Sequence, residues 1–379
     1  MSTTYAVVTG GGTAGHVLPA LAVAEALVSA GHQPDTIRYI GARRGIETEL
    51  LPATPFPHTF YDVVGFQRSL SRRNIGFVPK MLRSRRKAIE SFRDDRPAVV
   101  ISVGGYASMP AVFAARRLGI PVVVVSYDHT PGRASRLAAR RAAACAVAFD
   151  DSPLPRATMT GAPVRRSILD VDRVRDRGAA RAALGLPDDR FVVAVMGGSQ
   201  GSGALNAAIS SYLAERADDA GLAVRHVVGE RFVDQVRSAT RTTADRDPAA
   251  IHQAAIHQIV GYERDMPAVY AAADLLVGRG GASTVHEVAV TGTPAILVPW
   301  AASADDHQTE NVRWLERDGA ALLLPEAEIG RLGSEIERLR RDPTTRLALG
   351  DAASVLGERH RSGELAALID RVALTSDES

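Results

Sequence analysis

The sequence predicts an α/β protein built from two Rossmann-like, doubly wound parallel-sheet domains. Apolar runs of strand length alternate with helically periodic segments almost from end to end, the pattern of parallel strands joined by crossover helices. That alternation is interrupted once, by the polar stretch from Asp170 to Arg190, where the crossing between domains is expected. Each half also opens alike. An apolar strand runs into a glycine loop, at 10–16 in the first half and 197–203 in the second, and a helix follows.

In the first half, strands are predicted at 5–9, 36–41, 58–63, 98–103, 121–126 and 143–148, with helices between them. The second series falls at 191–196, 222–228, 256–260, 275–277, 295–298 and 320–324, and residues 332–374 read as helices. Domains are expected over 1–163 and 164–340, with closing helices over 341–379. Two such sheets facing one another would make a cleft at the carboxyl ends of their strands, where doubly wound sheets bind ligands.

With 379 residues, 46% hydrophobic and 23% charged, the chain is long enough for two buried cores. A formal net charge of +2 gives no reason to expect nucleic acid as a partner. The single cysteine, Cys145, rules out an internal disulfide and fits a reducing compartment; its apolar surroundings predict a buried, inert thiol. Met1 to Ala24 carries no basic leader region and is broken by Gly10-Gly11-Gly12, so the chain is expected to start in the cytoplasm. The longest uncharged run, 98–115, is divided by Gly104-Gly105 and Pro110 into strand, turn and helix, and any membrane contact is expected to be peripheral.

Residues 274–311 gather devices for binding charge and reading hydroxyls. A helix predicted to start at Ser283-Thr284, just after Gly280-Gly281, would present backbone N–H groups and a positive dipole end suited to a pyrophosphate. Glu287, about one turn into it, could accept hydrogen bonds from adjacent ribose hydroxyls, or simply favour the helix dipole. Asp305, Asp306, His307, Gln308 and Asn311 follow, a polar group able to read sugar hydroxyls or to form an ordinary loop and cap.

Gly10, Gly12 and Gly15 satisfy G-x-G-x-x-G, which admits a dinucleotide-dependent dehydrogenase. Against it, the second strand ends in Gly41-Ala42-Arg43-Arg44 and lacks the acid that would hold an adenosine ribose. Metal chemistry finds little support: His286-Glu287 lacks the second His of H-E-x-x-H, and the D-x-D pairs Asp170/Asp172 and Asp245/Asp247 sit in solvated charge runs.

The run GRGGASTVHEVAVTGTPAILVP followed by DDHQTEN resembles the donor-sugar site of the MurG family, and the similarity extends through most of the chain. The resemblance implies a GT-B fold. It implies an inverting hexosyltransferase that moves N-acetylglucosamine from UDP-N-acetylglucosamine (UDP-GlcNAc) to the 4-hydroxyl of a polyprenyl-linked muramyl-pentapeptide in peptidoglycan synthesis, with no cofactor. It places the protein peripherally on the cytoplasmic face of the cell membrane, serving cell wall biogenesis, cell shape and division, with an anionic membrane surface and cell-wall or division proteins as partners.

Carried over residue by residue, the resemblance makes His16 the candidate base, with Asp128 as competitor. A neutral imidazole suits that role at neutral pH, and the plainer alternative is a structural bond in a tight turn. Thr13, Ala14, Gly15 and Tyr106 match loops on the acceptor and pyrophosphate side. Arg165 and Ser199 match phosphate contacts, although a linker salt bridge and a helix cap would account for them equally. Tyr262 matches an aromatic packing on uracil, or is a core residue, and the backbone of Glu263 matches the base-reading position. Gly281, Ala282, Ser283, Thr284, Val285, His286 and Glu287 form the nucleotide-binding turn and helix, and His307, Gln308 and Asn311 read the sugar.

The sequence departs from the family at 125–128. Val125, Ser126, Tyr127 and Asp128 stand where His-Glu-Gln-Asn is usual, and an amide that donates and accepts has become a carboxylate. That change keeps open another GT-B enzyme acting on UDP-GlcNAc, an epimerase or a glycolipid or natural-product transferase, as well as a non-catalytic nucleotide-sugar scaffold. The segment 67–96 mixes Leu70, Ile75, Phe77, Met81 and Leu82 with a dense set of Arg and Lys, and is expected to dock on an anionic bilayer.

Overall fold

The computed structural model describes residues 4–12, 14–63, 77–244, 254–303 and 306–375. They form two compact units, one of residues up to Arg166 together with those from Arg359 onward, the other Ser167–Glu358.

The first unit holds β1 (Ala6–Thr9), β2 (Ile37–Ala42), β3 (His58–Tyr61), β4 (Val99–Ser102), β5 (Val122–Ser126), β6 (Ala144–Val147) and β7 (Ala157–Met159). They form a parallel sheet in the order β3-β2-β1-β4-β5-β6-β7. Val7, Val100, Val122 and Val124 are buried because helices cover both faces of a parallel sheet, which explains runs that are apolar rather than alternating. The sequence reading missed β7. Its three residues, Ala157-Thr158-Met159, follow Arg156 in a left-handed conformation (φ 53°) and are too few to show a period.

The second unit repeats the plan with β8 (Phe191–Met196), β9 (Leu222–Val227), β10 (Ile256–Val260), β11 (Leu275–Gly278), β12 (Ala295–Leu297) and β13 (Leu322–Leu323). Their order, β10-β9-β8-β11-β12-β13, is again parallel throughout. In both sheets the order reverses beside the first strand, between β1 and β4 and between β8 and β11. Loops leaving the carboxyl ends of those strand pairs form the crevice that doubly wound sheets use for ligands.

Two stretches fold differently from their composition. The polar run read as a crossing contains the helix Arg173–Leu184, which belongs to the second unit and packs on the helix Met266–Ala272. It is anchored by Arg181, fully buried, whose guanidinium donates to the carbonyls of Ala272, Pro187, Asp188 and Arg190 and to Asp274 Oδ2 at 2.7 Å. A charge so completely paired is compatible with burial, which hydropathy cannot foresee. The closing helices divide as well. Pro343–Gly357 stays in the second unit against Ala282–Thr291, and only residues from Arg359 join the first. There Asp370, on the helix Glu364–Leu374, bonds Tyr5 Oη and His32 Nε2, and His360 Nδ1 accepts from the Ala162 amide at 3.0 Å. Cys145 is buried in β6, and burial pushes its thiol up to about 11.

Candidate active site

In the first unit the glycine loop at the end of β1 is pinned by two groups the sequence reading passed over, one on β2 and one just beyond it. Tyr39 Oη donates to the Gly10 carbonyl at 2.7 Å. Glu47, fully buried, accepts with Oε1 from the amides of Gly12 at 3.1 Å and Ala42 at 3.0 Å. Its one sequence signal is its place six residues after Gly41, just past the end of an apolar strand.

The loop leads into the helix Ala14–Ser29, and beside its first turn lies a cavity of about 230 Å³ lined by His16, Gly105, Tyr106, Tyr127, Asp128 and Ser135, among others. His16 Nδ1 lies 3.0 Å from Tyr127 Oη, and that hydroxyl also donates to the Gly15 carbonyl. Burial pushes the imidazole below the usual histidine range, opposed by the charge of Asp128, so His16 is neutral at physiological pH. The Tyr127 phenol is raised well above its ordinary value, by burial first and then by Asp128 and Tyr39.

The second unit places its devices at the ends of β8, β11 and β12. Arg279, buried directly after β11, ties them together. Its guanidinium donates to the carbonyls of Val298 at 3.1 Å and Pro299 at 3.3 Å, to Ser202 Oγ at 2.7 Å, and to Glu326. Burial by itself would raise the Glu326 carboxyl, but the Ala301 amide and Arg279 together hold it below the usual range. Ser202 caps the helix Gly203–Ala214 by accepting from Leu205 N. Ser199 is therefore not the helix cap; it is exposed in the loop before it.

The helix Ala282–Thr291 starts one residue earlier than expected, with Gly281 as an N-cap that contributes no side-chain bond. Such an end turns backbone N–H groups outward. Glu287 Oε2 accepts from Tyr270 Oη at 2.7 Å, a buried phenol that orients the carboxylate and that the sequence reading did not single out. Tyr262 is 38% exposed, which removes the core-aromatic reading. The Glu263 side chain is fully engaged: Arg225 holds Oε2 at 2.7 Å, and Oε1 accepts from the amides of Arg264 and Asp265, both at 3.0 Å. Gln308 Oε1 accepts from Trp300 N at 2.9 Å, which leaves its amide nitrogen to donate elsewhere.

Several sequence candidates take other places. Asn311 is completely buried and donates to the Gly280 carbonyl at 3.2 Å, which ties it to the glycine turn. His286 is buried with its ring 5.3 Å from that of Trp314, and the side chains of Ala282 and Val285 also enter the interior, leaving only their backbone for a ligand. Those positions point inward because the helical period turns them toward the core while Gly281, Ser283, Thr284 and Glu287 stay partly exposed. His307 begins the helix His307–Arg317 and is half-buried. Arg165 belongs to the first unit, at its final residues. Asp172 caps the helix Arg173–Leu184 through the amides of Val174 and Arg175. Thr13, Asp245, Asp247, Asp305, the side chains of Ala14 and Phe77 and residues 67–76 of the basic segment lie outside the described residues.

Residues 6–147 match the glycosyltransferase family 28 N-terminal domain, and residues 192–364 match the glycosyltransferase family 28 C-terminal domain. The chain is 36% identical over 368 residues to a UDP-N-acetylglucosamine–N-acetylmuramyl-(pentapeptide) pyrophosphoryl-undecaprenol N-acetylglucosamine transferase of Clavibacter michiganensis, covering 96% of this chain and 95% of the relative. A protein of the same name from Desulforudis audaxviator is 32% identical over 374 residues, covering 97% and 98%. Among solved structures, Acinetobacter baumannii MurG is similar with a TM-score of 0.68 and 25% identity, covering 97% of this chain and 99% of that one. The UDP-GlcNAc 2-epimerase of Neisseria meningitidis has a TM-score of 0.67 at 14% identity, covering 98% and 100%, a likeness of fold.

Proposed function

The chain belongs to the MurG family and is an N-acetylglucosaminyltransferase of peptidoglycan synthesis, acting from UDP-GlcNAc on the polyprenyl-linked muramyl-pentapeptide; we propose that it works by single displacement with His16 as base. The observation that carries this mechanism is a neutral, partly buried imidazole on the wall of the first unit's cavity. The 4-hydroxyl of the muramyl sugar attacks the anomeric carbon while the bond from that carbon to the UDP oxygen breaks. UDP leaves with the bonding electrons, the hydroxyl proton passes to His16, and the new linkage is β. Asp128, on the same cavity, is the reserve acceptor.

On the second unit, Ser199 and the start of the helix Ala282–Thr291 hold the phosphates, Glu287 takes the ribose hydroxyls, and Tyr262 with the Glu263 backbone receives the uracil. Gln308 donates to the sugar, with His307 beside it. Arg165 and the helix N-terminus stabilise charge growing on the leaving pyrophosphate. Gly15 and Tyr106 line the acceptor side. The two units thus divide the labour: the first takes the acceptor, the second the donor.

The protein works peripherally at the cytoplasmic face of the membrane, alongside cell-wall and division proteins. Among the described residues, no helix is long and apolar enough to cross a membrane. The helix Phe77–Asp94 carries Leu82, 55% exposed, at the edge of a cavity of about 470 Å³ whose other lining residues include Met81, Phe113, Arg85, Arg116, Arg117 and Arg141. Apolar groups ringed by guanidinium suit an anionic bilayer surface.

The test is transfer of labelled N-acetylglucosamine from UDP to a short-chain analogue of the lipid-linked muramyl-pentapeptide. Wild type is expected to transfer, and His16→Gln to lose about 100-fold or more in turnover, the usual worth of a general base. Wild-type turnover in His16→Gln together with Asp128→Asn would overturn the assignment of the base.

A further inference from the structure

Pro19 lies inside the helix Ala14–Ser29, four residues after Gly15. Proline has no N–H, so the Gly15 carbonyl lacks the donor that an i+4 residue ordinarily supplies within a helix. Tyr127, at the carboxyl end of β5 and only 5% exposed, fills the place from outside, donating its hydroxyl hydrogen to Gly15 O. A phenol carries one hydrogen and a carbonyl can only accept, so the contact at 3.0 Å between Tyr127 Oη and His16 Nδ1 runs the other way: Nδ1–H donates and the phenol oxygen accepts. The bond made by one ring nitrogen fixes the state of the other. Neutral His16 then carries its lone pair on Nε2.

The opposite edge of the ring is kept clear by glycines. A Cβ on Gly105 would lie 3.2 Å from His16 Cδ2, and one on Gly104 would lie 3.5 Å from Cε1, the two carbons flanking Nε2. Both glycines have positive φ, 95° for Gly104 and 74° for Gly105, which keeps side chains from that edge. We infer that Tyr127 is a positioning residue: by bridging Gly15 O and His16 Nδ1 it holds His16 in the Nδ1–H tautomer and presents Nε2 as the proton acceptor. The inference rests on the reading of His16 as base. It gives a role to a tyrosine standing where the sequence departs from the MurG pattern. The raised Tyr127 phenol, kept protonated by burial and by Asp128, supports it.

The test is a two-bond 1H–15N spectrum of histidine-labelled full-length protein, with His16 assigned by the signal lost in His16→Gln. Wild type at pH 7.5 is expected to show a pyrrole-type Nδ1 and a pyridine-type Nε2. In Tyr127→Phe the pattern should move toward the Nε2–H form that histidine favours in water, and kcat should fall about 5- to 10-fold, the usual worth of one neutral hydrogen bond, with KM for UDP-GlcNAc unchanged. An Nε2–H signature in wild type overturns the inference without any variant, and so does a Tyr127→Phe spectrum unchanged from wild type. Should His16→Gln keep full turnover, the reading of the base fails, and the wild-type spectrum still reports separately whether Tyr127 sets the tautomer.

Discussion

Acid should unfold the second unit early, through two histidines that its sheet keeps neutral. His226 on β9 and His257 on β10 stack with ring centroids 5.4 Å apart, and His226 Nδ1 lies 3.2 Å from His257 Nε2. Asn206 closes the chain. Its Nδ2 donates to the Val228 carbonyl at 3.1 Å, so its Oδ1, 3.0 Å from His226 Nε2, accepts from that nitrogen. His226 Nδ1 is then the acceptor for His257 Nε2–H, an arrangement that requires His226 neutral, while burial keeps His257 neutral. Burial lowers His226 to about 3, with the neighbouring His257 contributing, and lowers His257 to about 4. An unfolded histidine titrates near ~6.5, so between that value and the depressed ones the unfolded chain binds up to two protons that the folded chain refuses. The stability is therefore complete above about pH 6.5 and lost as pH falls toward 4. At about 1.4 kcal/mol per proton per pH unit, lowering the pH from 7.5 to 5.0 removes roughly 2 kcal/mol for each ring and about 4 kcal/mol together. Both tryptophans of the chain, Trp300 and Trp314, lie in the second unit, so urea unfolding followed by their fluorescence reads the affected unit selectively. Paired carboxylates such as Asp219 titrate below this window, because the Arg340 guanidinium holds the carboxyl below the usual carboxylate range. A wild-type difference under about 1 kcal/mol between the two pH values would refute the reasoning, as would a His226→Gln/His257→Gln variant that keeps the full pH dependence.

Three further outcomes follow from contacts in the second unit and from the proposed chemistry. Gly201→Ala puts a Cβ 2.1 Å from the Val228 carbonyl oxygen at a backbone φ of 67°, and should destabilise by more than about 2 kcal/mol in the same urea assay, with loss of UDP binding by calorimetry. Removing the guanidinium in Arg279→Ala leaves buried Ser202 and partly buried Glu326 without it; a loss of about 1–3 kcal/mol is expected, whereas an unchanged midpoint would show that the carboxylate finds water instead. For Arg165→Ala, turnover should fall more than UDP affinity, since its charge is needed most as the pyrophosphate leaves, and equal losses in both would count against that role.

The chain's periodicity determined a great deal. Runs such as Phe191–Met196 are apolar throughout because both faces of a parallel strand are covered, and glycine loops at 10–12 and 197–201 mark where the sheets turn toward their ligands. Local signals of this kind survive in a sequence because they depend on neighbours a few residues apart. Partnership across the fold does not survive in the same way. Nothing near Arg181 announces four carbonyls and Asp274, and nothing near Asn311 announces its bond to the Gly280 carbonyl. Glu47 and Tyr39 look like surface and core residues, yet both hold the first glycine loop. The same holds at the base. The sequence offers a histidine at a helix start, a proline four residues after Gly15 and a tyrosine in place of an amide, separated by 111 positions between His16 and Tyr127. Only the tertiary structure brings the phenol to the carbonyl that Pro19 left without a donor. A hydrogen bond depends on distance and direction in space, and that single bond decides which nitrogen of His16 is left to accept a proton.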